Sequence, residues 1–129
     1  MKVMILVARI LMGLVFVVFG FAKLVPFIPA KLPPGDAGAI AGLMMAHKWM
    51  AFYGVIETGS GLLLFSGRFV PLALTLLAGM ITNIVLFGIT VAPAGLAPGL
   101  VMGVLELFLV YAYRASFAGI FAAKAQPAA

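Results

Sequence analysis

VMILVARILMGLVFVVFGFAKL, residues 3–24, decides the fold. At ~1.5 Å of rise per residue the run is long enough to cross a ~30 Å hydrocarbon core as one α-helix. Lys2 precedes it and Lys23 stands near its far end, where basic residues flank a membrane span. A cleaved signal peptide is the competing reading. It is disfavoured because the run exceeds the usual apolar stretch of ~7 to 15 residues, Arg9 interrupts it, and no A-x-A cleavage site follows.

Outward from this run, the rest of the chain repeats its character. Of 129 residues, 66% are hydrophobic and only 9% charged, with a mean hydropathy of +1.31. Soluble domains carry roughly a quarter charged residues, so this surface cannot be clothed for water. The absence of cysteine excludes disulfides, thiolate metal sites and cysteine nucleophiles. A redox role would place the electrons on a partner or a bound cofactor. The net charge of +5 sits at the ends of apolar runs, which reads as topology signal and lipid-headgroup contact, with no nucleic acid as partner.

The segment VPFIPAKLPPGDAG, residues 25–38, holds four of the eight prolines and is expected to be a loop. Residues 39–46 follow as a short interfacial helix or helical extension, and 49–65 as the second span. Trp49 and Tyr53 beside Lys48 suit an aromatic belt at that boundary. The short break Ser66, Gly67, Arg68 makes the next span, 70–91, an antiparallel neighbour. APAGLAPG then leads to a fourth span over 99–113, with Tyr111, Tyr113 and Arg114 at its exit and a frayed, solvated tail. The expected architecture is all-α, a single transmembrane domain of four helices with a proline-rich extracytoplasmic loop between the first two. Lys2, Arg68, Arg114 and Lys124 on one side outnumber Lys23, Lys31 and Lys48 on the other, which places both termini in the cytoplasm.

Charged side chains at mid-membrane cost at least ~2.5 to 3.5 kcal/mol, so they should face inward and find partners. Arg9, Glu57 and Glu106 are the charged candidates, and Asn83 adds an amide. Each helix carries small and polar residues at helical spacing: Arg9, Gly13, Phe16, Gly20 and Lys23; Gly54, Glu57, Thr58 and Gly61; Thr75, Gly79, Thr82, Asn83 and Thr90; Gly99, Gly103, Glu106 and Tyr113. All four stripes are expected to face one axis, with glycines seven apart on the first two helices allowing close backbone approach. Counted from the flanking basic residues, Arg9 and Glu106 lie at similar depth and are expected to pair. Glu57 lies deeper, nearer Asn83, as the carboxyl left over, which must hold a proton or find another charge. His47 reads as an interfacial residue, and the methionines as lipid-facing or core fillers. No metal site, phosphate loop, metalloprotease motif or serine elbow is present in the sequence.

The run ARILMGLVFVVFGFAKL, residues 8–24, and GVIETGSGLLLFSGR, residues 54–68, resemble the DoxX family of small four-helix membrane proteins. The resemblance covers these two helices and falls on Arg9, Gly13, Gly20, Lys23, Glu57 and Gly61. It implies a multi-pass protein of the bacterial cytoplasmic membrane, in a family that includes subunits of thiosulfate:quinone oxidoreductase and proteins of oxidative-stress or thiol handling. The leading expectation is a non-thiol subunit or accessory factor of a quinone-linked system, working in a membrane complex or homo-oligomer, with the interior of Arg9, Glu57, Asn83 and Glu106 receiving a quinone as possible cofactor. A small transporter with a mid-membrane carboxylate and a structural assembly subunit are the alternatives.

Overall fold

The computed structural model describes residues 1–25 and 31–128. Residues 26–30, in the middle of the proline-rich segment, and Ala129 lie outside the described residues. The described elements are helical throughout: α1 (Lys2–Leu24), α2 (Asp36–Ala46), α3 (Trp49–Ser66), α4 (Val70–Thr90) and α5 (Leu96–Ala112), with 3-10 turns at Pro93–Gly95 and Arg114–Phe117. The described part of the loop, 31–35, is irregular, as its prolines require. Helix α2 begins at Asp36, three residues before the expected start, because an acidic side chain suits the positive end of a helix.

Helices α1, α4 and α5 with its preceding turn are each long and apolar enough to cross a membrane. Helix α3 qualifies only together with α2, from which it is bent by 84°. The expectation for 49–65 as a self-sufficient span is corrected to that extent, since Gly54, Glu57, Thr58, Ser60 and Gly61 lower its apolarity. The bend falls at His47 and Lys48, where Lys48 takes a left-handed conformation with φ of 63°. Helix α2 therefore runs across the end of α3 instead of extending it.

The outside of the molecule is as apolar as its inside. Leu11, Phe19, Leu62, Leu72, Ile89 and Leu107 are all about half exposed or more, on every long helix. A surface this continuously greasy is suited to lipid and far exceeds what a water-soluble monomer shows.

Helices α1 and α3 make the most intimate contact, and their glycines explain it. A Cβ added to Gly13 would lie 2.8 Å from the Gly61 carbonyl oxygen, and one on Gly61 would lie 2.8 Å from that of Gly13. One turn-pair further on, a Cβ on Gly54 would come 2.8 Å from the Gly20 oxygen. The helices are thus antiparallel, backbone against backbone, in the register that glycines seven apart dictate. Helix α4 packs on α3 and α5, and α5 closes on α1. The apolar core, with Met12, Leu64, Leu74, Leu77 and Leu109 fully enclosed, fills the half of the bundle nearest the α3–α4 turn.

Two expectations are overturned here. The α4 stripe does not face the axis: Thr75, Gly79, Thr82, Asn83 and Thr90 are exposed, while Ala73, Leu74, Leu77 and Ile81 point inward. Each threonine hydroxyl donates to its own helix, Thr75 to the Pro71 oxygen at 2.8 Å, Thr82 to Ala78 at 2.7 Å and Thr90 to Leu86 at 2.8 Å. A hydroxyl so satisfied needs no interior partner. The tail is also not wholly solvated, since Phe117 is buried in the core through the turn that follows α5.

Candidate functional site

Glu57 sits on the buried face of α3 and is 2% exposed. Lys23, in the last turn of α1, brings its Nζ to 2.6 Å from Glu57 Oε2. The α1–α3 register sets Glu57 about level with Gly20, so the lysine backbone stands about 4 to 5 Å nearer the helix end. A lysine there would ordinarily extend outward to the headgroups. This one turns inward, drawn by a carboxylate that would otherwise be buried without a counter-charge. Gly20 makes the approach possible: a Cβ on it would stand 2.8 Å from Glu57 Cβ and 2.7 Å from the Thr58 amide nitrogen.

The ion pair forms part of the wall of a cavity of about 280 Å³. Ala41 and Met44 of α2 line it, with Met50, Tyr53 and Glu57 of α3, Asn83 and Phe87 of α4, and Ala92 and Gly95 of the following turn. Asn83 Nδ2 donates to the Tyr53 hydroxyl at 3.2 Å, tying α4 to α3. That leaves the Tyr53 proton and the Asn83 carbonyl free to address the cavity. Lys23, whose side chain is 26% exposed, supplies further donors beside Glu57.

Glu57 and Asn83, expected to lie near each other, share this cavity. The expectation that Glu57 is the carboxyl without a partner is corrected: Glu57 is paired and Glu106 is not. Glu106 is 5% exposed on α5, and neither of its oxygens has a hydrogen-bond partner among the described residues. The expected Arg9–Glu106 pair is not formed, the Lys23–Glu57 bridge being the ion pair found among the described residues. Arg9 instead lies against the C-terminal turn of α3, where a Cβ on Gly67 would come 2.8 Å from its Nη1. The helix C-terminus offers it partial negative charge in place of a carboxylate, while its Nε is buried without a hydrogen-bond partner among the described residues. The shared axis of Arg9, Glu57, Asn83 and Glu106 thus resolves into separate places.

Tyr53 was missed as a site residue and read as part of an aromatic belt. Trp49 does lie outside, 56% exposed, but Tyr53 turns into the cavity. The available signal was its spacing, one helical turn before Glu57 and so on the same face. His47 is exposed at the α2–α3 break, and no cluster of metal-ligating side chains occurs among the described residues. At the other end, Arg114 lies 4.4 Å from the centre of the Tyr111 ring and donates from Nη1 to the Tyr111 oxygen at 2.9 Å.

No family model, curated protein or solved structure matches the chain. The cavity's own chemistry is the basis for assigning it a role.

Proposed function

We propose that the chain is a four-span protein of the bacterial cytoplasmic membrane with both termini in the cytoplasm, similar to DoxX proteins, and that its cavity receives the head of a quinone. In this reading it is a subunit or accessory factor of a quinone-linked redox or thiol-handling system. The observation that carries it is the inward-turned Lys23 paired with Glu57 beside the Tyr53–Asn83 bond.

A quinone head is an apolar ring whose carbonyls only accept hydrogen bonds. Lys23 and Tyr53 offer donors to such a head, while Met44, Met50 and Phe87 supply apolar walls. A cavity of about 280 Å³ suits one ring, with the tail lying between helices. Glu57, hydrogen-bonded to Lys23, is placed to take up or give a proton through it, as a general acid or base must be.

The test is retention of quinone by the purified protein in nanodiscs, read by mass spectrometry, with titration of decylubiquinone. Glu57→Gln and Lys23→Met each weaken binding by about tenfold, the worth of a charge-assisted hydrogen bond. Leu76→Ala, on the outer face of α4, leaves it unchanged. Wild-type binding in both site variants would overturn the reading.

A further inference from the structure

A second cavity, of about 530 Å³, opens between α4 and α5. Its walls are apolar, and Leu86, Leu100, Val104 and Leu107 at its rim are half exposed or more, so a molecule dissolved in the bilayer reaches it sideways. Gly103 keeps it open, since a Cβ there would meet only Ile81, at 3.7 Å.

Glu106 lines this cavity. The residue is 5% exposed and both carboxyl oxygens lack a partner among the described residues. A carboxylate in such surroundings is costly unless a cation or donor meets it. The nearby cations do not pair with it: Lys23 holds Glu57, Arg114 covers the Tyr111 ring, and Arg9 lies against Gly67 with its Nε buried and without a partner among the described residues. The other polar side chain on the wall is Thr82, whose hydroxyl proton is directed to the Ala78 oxygen at 2.7 Å. Its remaining capacity is to accept, and the same holds for Glu106 once a cation draws off its proton and leaves the carboxylate.

A cavity that is apolar in its walls and acceptor-only in its polar groups complements a molecule with an apolar body and a donor-only head. An alkylammonium is such a molecule, with three N–H donors, a positive charge and no acceptor. We infer that the α4–α5 cavity binds amphiphilic primary amines, with Glu106 as their counter-ion. Acceptor-only heads could meet Glu106 only in its protonated form and bring no charge to it, whereas an ammonium holds the ionised form in place. The inference is independent of the quinone reading, which concerns a different cavity.

The test is equilibrium binding of radiolabelled decylamine to the protein in nanodiscs, corrected for partition into empty ones. A saturable site is expected, displaced neither by decanol, which lacks the charge, nor by decyltrimethylammonium, which lacks the N–H donors. Glu106→Gln weakens binding by roughly tenfold or more, the worth of a charged hydrogen bond. Gly103→Leu, which keeps the carboxyl and fills the cavity, does the same, while an unaltered far-ultraviolet spectrum and melting profile confirm a folded protein. The inference fails if binding is not saturable, if decanol competes equally, if both variants bind as wild type, or if a co-purified protein chain already occupies the cavity.

Discussion

Glu57 and Glu106 are both buried carboxyls on inward-facing helix stripes, at 2% and 5% exposure, but one has an ammonium at 2.6 Å and the other has no partner. The regions around them differ in the same sense. Near Glu57 the helices touch through glycines, so close that the end of α1 delivers a lysine inward, and Tyr53 and Asn83 add hydrogen-bonding groups. Near Glu106 the contact between α4 and α5 is made by branched aliphatic side chains, which leave a wide apolar gap. The difference teaches that close backbone approach, more than the count of charges, decides which buried group finds a partner in a chain with so few.

Breaking the paired side should have the largest effect. Lys23→Met leaves Glu57 buried without its counter-charge and is expected to destabilise the protein by about 3 to 5 kcal/mol, with Lys23→Met/Glu57→Leu recovering most of the loss. Unfolding in mixed micelles, followed by helical circular dichroism, measures both. Gly20→Ala comes next at about 1 to 3 kcal/mol, since its Cβ would press on the α3 backbone at 2.7 Å, and the same titration reads it. On the unpaired side the sign reverses. Glu106→Met removes two oxygens without partners and is expected to raise stability by about 1 to 3 kcal/mol, and a drop of that size would show that Glu106 has a partner after all. Tyr53→Phe, which deletes one interhelical bond, should cost least, about 0.5 to 1.5 kcal/mol.

The sequence made the α1–α3 contact legible because a glycine at every seventh position is a one-dimensional record of a helix face. Gly13, Gly20, Gly54 and Gly61 could hardly serve another purpose at that spacing. The stripe on α5 was legible for the same reason. Depth counting does not pair Arg9 with Glu106 correctly because height along a helix says nothing of direction around it, and the partial negative charge of a helix terminus competes for an arginine. The α4 stripe misled because threonine satisfies its hydroxyl within its own helix, so its polarity does not demand burial. Lys23 is legible both as a flank and as the last member of the α1 stripe, but its pairing with Glu57 is not, since position along the chain does not reveal how far a lysine side chain turns inward.

The glycine seam between α1 and α3 also bears on how the chain is made. Its two surfaces are separated by α2 but lie wholly within the first 66 residues, and both are complete once Ser66 has been synthesised. On the membrane reading proposed above, the pair can dock while α4 and α5 are still being translated, with Lys23 and Glu57 neutralising each other at that stage. Helix α3, which is not apolar enough to count as a span without α2, would on that reading be held in place by a neighbour already inserted. Its insertion becomes a matter of order in time, with α1 serving as the surface on which the least greasy helix of the protein is received.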